Sequence, residues 1–224
     1  MKLANKAYWG MGALLLAVFV ASFFMDDEPI DRADLPWHIE HPTAATTRVF
    51  GLLLGQATAG EAEAHFREEG TASLFKAADG RLVAEMFFEQ VTLAGLRTKI
   101  VVGIAVPAQE LSGMYERGLR IASTGSGKKI TLAPDDLARL RALPIASLTY
   151  MPVVRLEEEI IAKRFGQPGS RIRETKSGVV HWLYPQQGLD IALGADDKPV
   201  LQYVSPGEFD KLLQPLRESG EVLN

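Results

Sequence analysis

TAGEAEAHFREEG, residues 58–70, and RLEEEIIAKRFG, residues 155–166, each read as a short helix closed by a glycine. In the first, Thr58-x-x-Glu61 is a capping box: the hydroxyl accepts from first-turn amides while the carboxylate reaches back to the cap. In the second, Glu157, Glu158 and Glu159 crowd the start, where the helix dipole favours acids. The spacing from Gly70 to Gly166 repeats that from Glu61 to Glu157. Strand-like runs broken by turn residues follow each helix, over 71–107 and 170–205. The pattern predicts the α+β class, with two tandem helix–antiparallel-meander units, each of two layers.

The first unit spans 48–132 and the second 155–224, with a helix and strand connecting them at 133–154. Gly70, at the end of the first helix, is expected in the left-handed conformation. Ala78-Asp79-Gly80 is a hairpin signal. Residues 96–106, apolar at Ile100-Val101-Val102, fit a central strand. Pro107 and Pro134 open helices, a position that tolerates proline. Ser205-Pro206-Gly207-Glu208 has the form of a second capping box.

The N-terminus points to a compartment. Lys2 and Lys6 precede an apolar run over residues 7–25, and Asp26, Asp27 and Glu28 follow it. At 1.5 Å per residue the run reaches roughly 28 Å, close to the ~30 Å hydrocarbon core of a bilayer. Lysines on one side and acids on the other predict a single-pass signal-anchor with a cytoplasmic N-terminus. The body then lies in a bacterial periplasm, tethered to the inner membrane through residues 7–25. A cleaved signal peptide, with Val20 and Ser22 before the cut, is the competing reading. Residues 26–47, with Pro29, Pro36 and Pro42, read as a spacer.

The chain has 224 residues, 47% of them hydrophobic, no cysteine and a net charge of −4. The acidic balance and scattered basic residues argue against a nucleic-acid partner. Without cysteine there is no disulfide, thiol nucleophile or thiolate metal site.

Catalytic signatures are weak. Thr124-Gly125-Ser126-Gly127-Lys128-Lys129 lacks the earlier glycine and the hydroxyl after lysine that a phosphate-binding loop needs, so a hairpin loop is expected. His38-Ile39-Glu40-His41 is too closely spaced for a zincin and sits between prolines. No Gly-x-Ser-x-Gly elbow occurs. His65 beside Phe66, and His181 among apolar strand residues, read as packing residues. No catalytic, metal-binding or cofactor-binding residue is therefore assigned.

Residues 157–204 nevertheless carry a pattern: an acidic helix, Phe165-Gly166-Gln167-Pro168, Trp182-Leu183-Tyr184, and Leu189-Asp190-Ile191-Ala192-Leu193. It resembles the small outer-membrane-assembly lipoprotein family (SmpA/OmlA, or BamE). A tandem of such units is similar to the β-lactamase-inhibitor protein family. The resemblance implies helices packed on a small antiparallel sheet and a noncatalytic binding role. The lipoproteins are tethered through an N-terminal cysteine, which this chain lacks.

Two functions follow as expectations. One is a membrane-tethered periplasmic protein-interaction module that acts as adaptor, assembly factor or inhibitor on a periplasmic protein. The other is an envelope enzyme or small-ligand binder with its site between the units. In the strand at 179–184, Val180, Trp182 and Tyr184 share one face and Val179, His181 and Leu183 the other, so both faces are apolar. Val180, Trp182 and Tyr184 are the candidate partner-binding residues. Either Trp182 is core, or it is an open aromatic anchor.

Overall fold

The expectation of two separate two-layer units is overturned, because the strands join into a single 11-stranded antiparallel sheet. The computed structural model describes residues 31–125, 127–194 and 198–223. In chain order the elements are β1 (Arg48–Val49), β2 (Leu52–Leu53), α1 (Ala59–Phe66), β3 (Thr71–Ala77), β4 (Leu82–Leu93) and β5 (Leu96–Ile104). Next come α2 (Ala108–Glu116), β6 (Arg120–Thr124), β7 (Gly127–Thr131), α3 (Pro134–Arg141), β8 (Ile145–Pro152) and α4 (Glu158–Phe165). The chain ends with β9 (Ser170–Glu174), β10 (Val180–Tyr184), β11 (Leu189–Leu193), β12 (Val200–Val204), α5 (Phe209–Ser219) and β13 (Gly220–Leu223). Strand order across the sheet is β13-β9-β10-β11-β12-β8-β5-β4-β3-β7-β6, and β1-β2 form a separate hairpin.

Strand β8 makes the two meanders continuous. The sequence pattern assigns it to the connection, yet it pairs with β5 through Ile100↔Tyr150 and Val102↔Leu148. Its other edge takes β12 through Leu201↔Tyr150 and Tyr203↔Leu148. Leu148 and Tyr150 are both buried, as a central strand requires. The result is more sheet-rich than the α+β expectation, with five short helices among the described residues.

Alternation assigns the two faces. Trp182, Ile191, Leu201, Tyr150, Ile100 and Phe88 stand opposite one another along one face. Helices α1 to α4 and the β1–β2 hairpin pack there in one large core. Phe66 meets Phe88 with ring centroids 5.1 Å apart. Phe50 wedges between Tyr150 at 5.2 Å and Tyr203 at 5.8 Å. The β1–β2 turn holds Phe50 at φ 48 and Gly51 at φ 72, a left-handed pair that fits a tight hairpin. On the opposite face, α5 seals a smaller core in which Phe209, Leu213 and Leu216 cover Ile172, Leu183 and Val204.

Several local expectations change. The capping box at Thr58 and Glu61 forms. The left-handed residue that ends α1 is Arg67 at φ 53, not Gly70. Gly70 is small for a packing reason: a Cβ there would lie 2.3 Å from Met86 Cγ. Ser205 makes no side-chain cap, and residues 206–208 form a 3-10 turn before α5. Residues 31–47 do not stand off as a spacer. Tyr203 Oη donates to Pro36 O at 2.8 Å, Thr47 Oγ1 to Val204 O at 3.0 Å, and the Arg164 guanidinium lies 4.3 Å from the Trp37 ring centre.

The membrane, signal-anchor and single-pass inner-membrane assignments also require correction. No helix among the described residues is long and apolar enough to cross a membrane. The longest, α5, has 11 residues. That gives about 17 Å against the ~30 Å a bilayer core demands. The run at residues 7–25 lies outside the described residues.

Candidate functional site

Among the described residues, one face of the sheet is left largely uncovered. Gln202, Thr149, Val101, Phe87 and Thr71 stand in register across β12, β8, β5, β4 and β3. A neighbouring row runs Val204, Ser147, Gly103, Glu85 and Ser73, and a third pairs Val83 with Phe75. Among the described residues only α5 packs on this side, and it covers β9, β10 and the Val204 end of β12, leaving β8, β5, β4 and β3 uncovered. Phe75, Val83, Phe87 and Val101 belong to neither core cluster. Val83 is 42% exposed and the other three are half-buried.

The open face follows from the sequence of β4. Its even positions 84, 86 and 88 (Ala, Met, Phe) point into the covered core, while the odd positions 83, 85, 87 and 89 (Val, Glu, Phe, Glu) point outward. Lys99 Nζ lies 3.7 Å from Glu89 Oε1 and 5.8 Å from the Phe87 ring centre. Lys129 Nζ lies 5.8 Å from the Phe75 ring centre. Glu85 differs from both. It makes no hydrogen bond or ion pair among the described residues, and burial holds its carboxyl above the usual range.

The residues singled out from the sequence lie on the covered side. Trp182 is 2% exposed, with the Arg171 guanidinium 4.0 Å from its ring centre. Tyr184 is 3% exposed and its hydroxyl donates to Gly166 O at 3.1 Å. Burial pushes that phenol up to about 12. Val180 is half-buried against the same core. Strand β10 is apolar on both faces because α4 and its neighbours cover one and α5 the other. Phe87 and Glu85 were not singled out, and the available signal was the second apolar set on β4 together with Val101 on β5.

Beside α5, His181 Nδ1 is 2.8 Å from Asp190 Oδ2. Nε2 stands 3.5 Å from Glu174 Oε1, within ion-pair range but without hydrogen-bond geometry. Burial alone would lower the imidazole pKa, yet the bond and charge of Asp190, aided by Glu174, hold it above its ordinary value. Burial raises Asp190 despite the histidine. The cluster lies within β9–β11, not between the meanders, and β12 hydrogen-bonds directly to β8 at the seam. In the depression between α1 and α3, Arg141 is engaged by Glu63 and Glu69, each at 2.9 Å. His38 Nε2 pairs with Glu40 at 3.2 Å while His41 Nδ1 contacts Thr46 O at 3.0 Å. Among the described residues no His, Asp and Glu group is arranged to hold a metal ion. Thr124 Oγ1 donates to Gly127 O at 3.1 Å across the β6–β7 hairpin.

No protein-family model, curated protein or solved structure matches this chain.

Proposed function

We propose that this chain is a noncatalytic protein-interaction module, an adaptor, assembly factor or inhibitor, and that the open sheet face receives its partner. The observation that supports this most is the set Phe75, Val83, Phe87 and Val101, apolar side chains outside both cores on a paired sheet. A surface of this kind, apolar in the middle and edged by charge, is typical of interaction sites. A hydrogen-bonded sheet holds it in place before binding, which lowers the ordering cost. The net charge of −4 favours a protein partner over a nucleic acid.

The test places charge on the face without touching the core. Val83→Lys and Thr149→Lys should each change stability by only about 0.5 kcal/mol, as surface substitutions do. Both should abolish copurification of the partner from native extract. Retention of every partner by both folded variants would refute the assignment.

A further inference from the structure

Glu85 occupies the middle of the open face without a hydrogen-bond or ion-pair partner among the described residues. Ser73 and Gly103 flank it on the adjacent strands, and Val83 and Phe87 flank it along β4. Gly103 puts no side chain beside it, and the Ser147 hydroxyl leans across instead, 2.4 Å from where a Cβ on Gly103 would stand. The two lysines of this face are directed elsewhere: Lys99 to Glu89 and the Phe87 ring, Lys129 to the Phe75 ring. The carboxylate is thus partly stripped of water, with nothing among the described residues to neutralise it, a costly state for an acid.

Resting on the interaction-module reading above, we propose that the partner is a protein that seats an arginine, flanked by apolar residues, on Glu85. A guanidinium offers two parallel N–H donors to a carboxylate, and its planar faces pack against aromatic and aliphatic side chains. Glu85 supplies the carboxylate, Phe87 and Val83 the apolar walls, and Ser147 a hydroxyl at the rim. An anionic group would find an unpaired acid where it needs a donor. The chain's negative net charge adds attraction at longer range for the same cationic partner.

The test is NMR of the full chain, with valine methyl and glutamate carboxyl labels. It is titrated with a pool of acetylated pentapeptide amides holding Leu-Arg-Leu at their centre, and with the same pool carrying citrulline in place of arginine. Citrulline keeps the shape and removes the charge. The arginine pool should shift the Val83 and Val101 methyls and lower the Glu85 carboxyl pKa at saturation. Citrulline, or Glu85→Gln in the protein, should weaken binding roughly tenfold or more, as expected for loss of a contact to a charged group. Glu85→Asp should retain part of the affinity, and Glu89→Gln should leave it unchanged. Equal binding of both pools at the Val83 and Val101 methyls would overturn the Glu85 assignment and leave the docking face standing. Shifts confined to other methyls, or none with either pool, would overturn both.

Discussion

Replacing Trp182 by alanine measures whether the face assignment is right. The indole is 2% exposed, faces Ile191 on β11, and carries the Arg171 guanidinium 4.0 Å from its centre. Truncating a buried tryptophan removes the apolar transfer energy and leaves a cavity, for a cost of about 3–5 kcal/mol. Loss of the cation–π contact adds roughly 0.5–1 kcal/mol, since half-exposed arginines gain little. For a domain of this size each kcal/mol lowers Tm by about 2–4 °C, so Trp182→Ala should melt roughly 7–24 °C lower. Phe87→Ala, on the open side of β4, should cost well under half as much despite removing another large aromatic. Urea and thermal denaturation followed by circular dichroism give both values on one scale. If Trp182→Ala melts like the parent while Phe87→Ala is strongly destabilised, the covered and open faces have been exchanged.

Thr58→Ala removes the hydroxyl that accepts from the Glu61 N–H but keeps the backbone N–H that donates to the Glu61 carboxylate, and should cost about 0.5–2 kcal/mol in denaturant titration, whereas Thr58→Ser should recover most of it. Gly188 (φ 60) and Gly80 (φ 89) are both left-handed, but a Cβ on Gly188 would lie 2.0 Å from Val204 O while one on Gly80 meets nothing within 4 Å. Gly80→Ala should therefore cost about 1 kcal/mol of backbone strain, and Gly188→Ala should exceed it by roughly 1–3 kcal/mol of overpacking. Because His181 titrates above its ordinary value in the fold, the stability it contributes is complete below the unfolded pKa of about 6.5 and lost as pH rises through the folded one. Tm should fall across that window, and His181→Gln should flatten the slope. Asp190, raised by burial, acts in the same sense: its contribution is lost as pH rises through its folded pKa.

Local grammar was legible in the sequence where a few adjacent residues decide the outcome. The Thr58–Glu61 box, the Ala78–Gly80 turn and the proline at the start of α3 all appear in the fold. Contacts between distant segments were not legible, because hydrophobic period specifies a strand without naming its neighbour. Nothing in residues 145–152 signals that both edges are used, so the seam that merges the meanders could not be read. The same limit hid α5 on the second face, which makes His181 and Leu183 interior and leaves β10 apolar on both sides. Gly70 was misread because a helix-end glycine and a glycine crowded by Met86 look alike in one dimension. Phe50, an aromatic in a left-handed turn position, has its ring packed between Tyr150 and Tyr203, two residues distant in the sequence.

The most direct measurement of the central claim is a photocrosslinking scan in native cells. Benzoylphenylalanine would replace, one at a time, Phe87, Val101 and Met151 (opposite Lys99 and on the same side of β8 as Thr149) on the open face and Phe88 and Tyr150 on the covered one, with melting curves recorded for each variant. The expected result is one common adduct from Phe87, Val101 and Met151, and none from folded variants at Phe88 and Tyr150. Adducts that ignore this alternation, or that form only at the exposed β6 edge beside Ile121, would contradict a docking function for the open face.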